Sequence, residues 1–159
     1  MDKERKEKTA RVQDAEADGI IEGRNAVTEA LRAAVQNGAD AVYLGYGDFN
    51  ARRNAKNFTH EEAAAAVSYC HLRGAKVFLT LNTLLTDREL PGAAELLHKA
   101  SRLGADAVLI QDWGVWQLAR QAAPELPLHA STQMSLHTLG GARRAAELGN
   151  TVGMALSLI

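Results

Sequence analysis

The chain has 159 residues, a formal net charge of −1, and hydrophobic and charged fractions of 47% and 23%. These values are typical of one soluble globular domain and exclude the strongly basic field that draws many proteins to nucleic acid or anionic lipid. The single cysteine, Cys70, excludes an intramolecular disulfide and any cluster or zinc site built from this chain's cysteines alone. We expect it to be a buried, inert thiol. Neither a signal peptide nor a membrane-spanning apolar run is present in the sequence, which predicts a cytoplasmic protein with no membrane partner.

The first 18 residues differ from the remainder of the chain. Eleven of them are charged, with both signs represented, and almost none is apolar. Such a composition favours a solvated, flexible arm, because too little apolar surface is available to bury. From Gly19 onward the composition is that of a folded domain, so we divide the chain into an arm at 1–18 and a domain at 19–159.

A repeat in the body of the chain predicts its architecture. A glycine followed by a short apolar run occurs three times, as NGADAVYL at 37–44, RGAKVFL at 73–79 and LGADAVLI at 103–110. Each glycine can end a helix in a left-handed conformation, and each apolar run suits a buried parallel strand. The glycines stand 36 and then 30 residues apart, the length of one strand–helix unit.

Helical patterns lie between these strands. Thr59 and Thr86 each precede a carboxylate by three residues, the form of a capping box that opens a helix. Further elements are predicted as helices at 26–37, 90–103, 113–122 and 139–148, and strands at 127–132 and 151–158. Strict alternation of strands and helices predicts a parallel sheet, either doubly wound or closed as a barrel. Spacing alone does not distinguish these two folds.

Polar side chains are concentrated where the predicted strands end, which is where α/β folds place their sites. The candidates for binding a small polar substrate are Tyr46, Asn50, Arg52, Asn82, Gln111, Ser131 and Gln133. Three of them also have a structural interpretation. Asn82 and Gln111 can tie down neighbouring backbone, and Arg52 can be a solvated loop charge.

The candidates for catalysis are Asp112 and His129. Asp112 can equally be the N-cap of the helix that follows it. His129 and Ser131 share one face of a strand, which invites a hydrolase interpretation, but the chain lacks the G-x-S-x-G motif of serine hydrolases. The five histidines are scattered without the spacing of metal ligands, so we predict no metal site.

Four motifs, taken together, resemble the N-terminal half of the barrel in the peptidase-U32 (collagenase-like) family. They are AAVQNGADAVYLGYGDFNARRNAKNF, KVFLTLNTLL, DAVLIQDWGV and PLHASTQMSLHTLGGARRAAELG, in order between residues 33 and 149. The resemblance implies a (β/α)-barrel and a relationship both to proteases and to enzymes that hydroxylate transfer RNA, ribosomal RNA or a quinone precursor. It also implies an iron–sulfur cluster on cysteines that are absent from this chain, so we expect no cofactor here.

A second resemblance lies at the start of the domain. The stretch GIIEGRNAVTEAL at 19–31 is similar to the beginning of the ribosomal-RNA 2′-O-methyltransferases of the SpoU (TrmH) class. It implies a methyltransferase-like protein as an alternative.

We therefore expect an incomplete (β/α)8 TIM-like barrel of about five parallel strands. An unclosed barrel leaves strand edges and one sheet face unpaired, so we expect self-association or a partner that supplies the missing barrel half. Three functional hypotheses follow: an enzyme fragment inactive by itself, a module that binds RNA or another subunit, and a SpoU-type RNA methyltransferase.

Overall fold

The computed structural model describes residues 24–51 and 57–151. Strands and helices alternate through them, as the repeat predicts. The elements are α1 Arg24–Gln36, β1 Ala41–Gly45, α2 His60–His71, β2 Lys76–Leu81, α3 Leu90–Leu103, β3 Ala107–Ile110, α4 Trp113–Ala122, β4 Leu128–Ala130, a 3₁₀ turn Thr132–Met134, α5 Leu139–Glu147 and β5 Asn150–Thr151. The predicted arm at 1–18, the SpoU-like stretch as far as Gly23, and the part of the last predicted strand beyond Thr151 lie outside the described residues.

The five described strands form one parallel sheet in the order β1-β2-β3-β4-β5. Its register aligns apolar side chains in a continuous row, from Leu44 to Leu79, Val108 and Leu128. Strand-to-strand crossovers are right-handed, so an order that never reverses places every connecting helix on the same face of the sheet. A doubly wound sheet requires a reversal. The observed order is therefore that of a barrel wall, which settles the choice that spacing left open.

Burial alternates along the strands because only one face is covered. Leu79 and Leu81 of β2 are fully buried, whereas Phe78 and Thr80 between them are only half-buried. Residues on the covered face pack against apolar residues of the helices, among them Val67 of α2 and Leu97 of α3. The core is thus a single layer between the sheet and its helices.

Local signals account for several element boundaries. The three glycines of the repeat, Gly38, Gly74 and Gly104, all have a positive φ, between 74° and 91°, which side chains with a Cβ rarely adopt. The Thr59 capping box is present in full: the Thr59 hydroxyl accepts from Glu62 N, and the Glu62 carboxylate accepts from Thr59 N at 2.8 Å. Both predictions are confirmed.

The helix predicted at 90–103 is confirmed, but the capping box predicted before it forms only in part: the Glu89 carboxylate accepts from Thr86 N at 2.8 Å, and no side chain caps the helix. Helix α3 begins at Leu90, and the Thr86 hydroxyl donates to the Glu89 carboxylate at 2.7 Å instead of capping the helix. The reason is Pro91, which has no N–H and is tolerated only in the first turn of a helix. A helix starting at Thr86 would place this proline in its interior.

Strand β4 is also shorter than predicted. The expected strand at 127–132 ends at Ala130, because Ser131 begins a 3₁₀ turn. The longest described helix, α3, has 14 residues, and no described helix is both long enough and apolar enough to cross a bilayer.

Candidate functional site

The uncovered side of the sheet carries a band of aromatic and polar residues. We call it the open face and define it by Tyr43, Phe78, Thr80, Leu109 and His129. The Phe78 ring lies between two others, with its centroid 5.2 Å from Tyr43 and 4.7 Å from His129. Tyr43 is 60% exposed although it lies within a strand. The open face is therefore an aromatic surface contributed by three strands, with its neighbouring rings tilted by 58° to 60° to one another.

His129 is the histidine of this surface, and its pKa is shifted. Burial lowers the pKa of its imidazole, and the positive charge of Lys76 lowers it further. Both effects disfavour the protonated ring. At neutral pH His129 therefore presents one hydrogen-bond donor and one acceptor, without a charge.

Three polar residues follow the strands at their carboxyl ends. Asn82, Gln111 and Ser131 come directly after Leu81, Ile110 and Ala130, which are aligned across β2, β3 and β4. We call this end of the sheet the carboxyl edge. The structure thus brings these three sequence-predicted residues to one place, next to the open face.

Two of the predicted binding amides hold the loop after β1. Asn82 Oδ1 accepts from the backbone N–H of Ala51 at 3.2 Å. Asn50 is 1% exposed, and its Nδ2 donates to the Gly47 carbonyl at 2.9 Å. Asn82 therefore ties down neighbouring backbone, as its structural interpretation states. Asn50 is enclosed by protein and does not face a solvent-accessible cavity.

Tyr46 lies on the opposite side of the sheet from His129. Its side chain points among the helices, where its hydroxyl is 2.9 Å from His60 Nδ1. A cleft of about 410 Å³ lies beside this pair, bounded by the loop after β1 and by α3. Burial raises the pKa of Tyr46, and nearby Lys99 partly opposes that shift. Tyr46 is thus separated from the other predicted binding residues.

Asp112 and Ser131 act as caps. Asp112 Oδ1 accepts from Gly114 N at 2.6 Å and from Val115 N at 3.1 Å, so the carboxylate caps α4. The buried Ser131 hydroxyl accepts from Gln133 N at 3.3 Å. Neither geometry is that of an activated nucleophile or its orienting partner, which would be hydrogen-bonded to a histidine.

The remaining predicted residues divide by position. Gln111 is half-buried between β3 and α4, Gln133 is exposed on the 3₁₀ turn, and Arg52 lies outside the described residues. Sequence reasoning missed Tyr43 and Phe78. Their signal is the period-two alternation of β1 and β2, which places an aromatic residue opposite the buried leucines.

The chain's own residues do not fit an iron–sulfur cluster. Cys70 is fully buried in α2, and burial raises the pKa of its thiol, whereas cluster ligands are thiolates. A cluster also takes several cysteines, and this chain has one. In the ranges 24–51 and 57–151, no three His, Cys, Asp or Glu side chains come together as a metal site requires.

Comparison with known proteins gives a consistent picture. The chain is 42% identical over 120 residues to the 23S rRNA 5-hydroxycytidine C2501 synthase of Escherichia coli K12, covering 76% of this chain and 18% of that protein. It is 34% identical over 108 residues to the tRNA hydroxylation protein P1 of Bacillus subtilis 168 (68% and 26%), and 30% identical over 131 residues to a collagenase of Porphyromonas gingivalis W83 (82% and 31%). The chain spans less than a third of the length of each relative.

Solved structures support the fold. The U32 peptidase Mk0906 superposes with a TM-score of 0.58 at 17% identity, covering 75% of this chain and 52% of that one. The YdjI aldolase of Escherichia coli K12 superposes with a TM-score of 0.52 at 20% identity, covering 82% and 49%. Both are consistent with an incomplete barrel.

The family comparison covers most of the chain. The model of peptidase family U32 matches residues 26–152, which include every described strand and all but the start of α1. None of the relatives named above is a SpoU-class methyltransferase, so the resemblance predicted for residues 19–31 finds no support. The sequence motifs, the barrel-type strand order and these matches agree: the chain belongs to peptidase family U32.

Proposed function

We propose that this chain forms the part of a U32-type barrel that binds a nucleobase of ribosomal or transfer RNA during hydroxylation of that RNA. The observation that carries the proposal is the open face, where the rings of Tyr43, Phe78 and His129 form one aromatic surface. Aromatic side chains bind bases by stacking, since every base has a π-face. Two of the relatives described above are named for RNA hydroxylation. Ribosomal and transfer RNA are found in the cytoplasm, so this function also favours the predicted cytoplasmic location.

The carboxyl edge and the open face each add polar groups that a base requires. Gln111 supplies an amide with both donors and an acceptor, and neutral His129 supplies one of each. A base has donors and acceptors on its edge, and uncharged polar groups of both kinds can pair with it. We assign binding and orientation to these residues and no chemical step.

Hydrolysis is the weaker alternative. The collagenase relative and the family name favour it, but the Ser131 hydroxyl and the Asp112 carboxylate both accept backbone hydrogen bonds as caps. No hydrogen bond joins Ser131 to His129 among the described contacts. We therefore give neither residue a catalytic role.

The open face also bears on partners. An exposed aromatic surface, and an edge of β1 that pairs with no other strand among the described residues, favour contact with further strand–helix units or with a second copy of the chain. We propose that activity depends on such a partner, because the described strands form only one wall of a cavity.

Analysis of modified nucleosides tests the function. Ribosomal and transfer RNA from the organism that carries the gene would be digested and examined by mass spectrometry, with and without the gene. We expect a hydroxylated pyrimidine nucleoside to disappear on deletion. It should return with the wild-type gene or with the control His98→Ala, which alters an exposed histidine of α3, and not with His129→Ala. Unchanged nucleosides in the deletion strain would contradict the proposal.

A further inference from the structure

Trp113, at the start of α4, is unusually exposed for its residue type. It is 45% exposed, whereas tryptophan is mostly buried in folded proteins. Trp116, one turn further along α4, packs against the core, and its ring centroid lies 6.3 Å from that of Trp113 at an interplanar angle of 67°. The edge-to-face contact supports the Trp113 ring from the protein side, while nearly half of its surface remains in solvent.

The position of Trp113 connects it with the open face. Only Gln111 and Asp112 separate it from β3, which is the central strand of the five described. Leu109 of the open face lies four residues earlier, a distance of at most about 13 Å along extended chain. Leu84 and Leu139, in or next to the neighbouring strand-to-helix connections, are also exposed. An apolar margin therefore adjoins the carboxyl edge, with one aromatic ring at its centre.

We infer that Trp113 is the stacking platform for a nucleotide that flanks the base held on the open face, and that the partner is a single-stranded segment of RNA. The inference rests on the proposed function. Single-stranded segments suit this arrangement because their unpaired bases are free to separate and stack on different aromatic rings.

The charges around the carboxyl edge favour stacking over phosphate contacts. In the described parts of the strand-to-helix connections there are four acidic residues, Asp48, Asp87, Glu89 and Asp112, against one arginine, Arg88. The sequence of the loop after β1 adds Arg52, Arg53 and Lys56 outside the described residues, so the connections carry no excess of cations. Binding to the phosphate backbone requires an excess of lysine and arginine. The affinity for RNA should therefore depend only weakly on salt concentration.

Titration of the full chain with a short unstructured RNA tests the inference. In the wild type we expect binding to quench the tryptophan fluorescence, and Trp116→Phe, which keeps Trp113, to preserve the quenching. Trp113→Ala should weaken binding between about 5-fold and about 100-fold, as for loss of one base–aromatic stack. Trp113→Phe should retain most of the affinity. The matched control is Leu72→Ala, since Leu72 is exposed at the opposite end of the sheet.

Other outcomes distinguish failure of the Trp113 inference from failure of the proposed function. Equal RNA affinity in wild type and Trp113→Ala, or no binding by the wild type, would overturn the inference. Full affinity in Trp113→Leu would also overturn it and indicate an apolar contact suited to a protein partner, because leucine preserves apolar area without a π-face. If the inference failed while deletion of the gene still removed the hydroxylated nucleoside, the proposed function would stand without it. Unchanged nucleosides would refute the function itself.

Discussion

The two faces of the sheet use the same strands for different purposes. On the covered face Leu79, Val108 and Leu128 form one row at full or nearly full burial. On the open face, one residue along each strand, Thr80, Leu109 and His129 form the neighbouring row and remain partly accessible. Because side chains alternate along a strand, a single residue step changes the environment from core to potential ligand surface.

This difference indicates where stability and binding originate. Burial of apolar area drives folding, so the covered face and its helices supply most of the stabilisation. An aromatic ring that remains exposed, such as Tyr43, contributes little to folding and is available to a partner or ligand. Substitutions on the two faces should therefore have separable effects.

The largest expected effect is on the covered face. Leu79→Ala removes a fully buried side chain and leaves a cavity between the sheet and its helices. We expect the free energy of unfolding to fall by about 2 to 5 kcal/mol. Urea denaturation followed by circular dichroism measures this change. A loss comparable to that of Tyr43→Ser would break the comparison between the faces.

The next effect lies at the carboxyl edge, where the two faces meet. Asp112→Ala removes the acceptor for two backbone N–H groups of α4 and should reduce the free energy of unfolding by about 1 kcal/mol. Asp112→Asn keeps an acceptor and should remain close to wild type in both stability and RNA hydroxylation. A stable Asn variant without hydroxylation would instead show that the carboxylate has a chemical role.

A smaller effect concerns the pH dependence of the open face. Burial and Lys76 lower the pKa of His129 in the folded state below its ordinary value of 6.5. Between these two pKa values the unfolded chain binds more protons than the folded chain, so the free energy of unfolding rises with pH. The contribution of neutral His129 to stability is fully present above about pH 6.5 and is lost as the pH falls below that value. The assay compares pH 7.5 with pH 5.5, about one unit on either side of the ordinary histidine pKa. We expect the melting temperature to drop more between these pH values in the wild type than in His129→Phe. Equal drops would show that His129 does not carry the effect.

The smallest effect on stability is expected for Tyr43→Ser. Tyr43 is 60% exposed, so the free energy of unfolding should change by no more than about 0.5 kcal/mol. Self-association should nevertheless decrease, because the variant removes aromatic area from the open face. Sedimentation velocity measures the self-association of the wild type and of the variant. A wild-type chain that is a monodisperse monomer would refute the expected self-association and sharpen the view of the open face as a ligand surface.

Much of the fold is predictable from local sequence, because its determinants act over a few residues. The Thr59 capping box, the Asp112 N-cap and the positive-φ glycine Gly104 are found where the sequence indicates them. The exception is Thr86, where the same pattern fails because of Pro91, five residues further on. A local pattern that favours a helix start can thus fail because of a residue a few positions further along the chain.

The candidate site is less predictable. That Asn82 and Gln111 share one edge follows from parallel strands, and the register agrees with it. The place of Tyr46 beside His60 does not follow, since it depends on how the loop after β1 folds against the helices. The aromatic contact of Phe78 with both Tyr43 and His129 joins residues that are far apart in sequence.

The sequence by itself determined the alternation of strands and helices, their caps and the family motifs, because these depend on side-chain period and on hydrogen bonds between near neighbours. Tertiary structure alone decided which polar residues serve the backbone and which remain open to solvent. Burial and register depend on contacts between strands whose paired residues are about 20 to 35 positions apart in sequence. For that reason the proposed function rests on the open face and not on a linear motif.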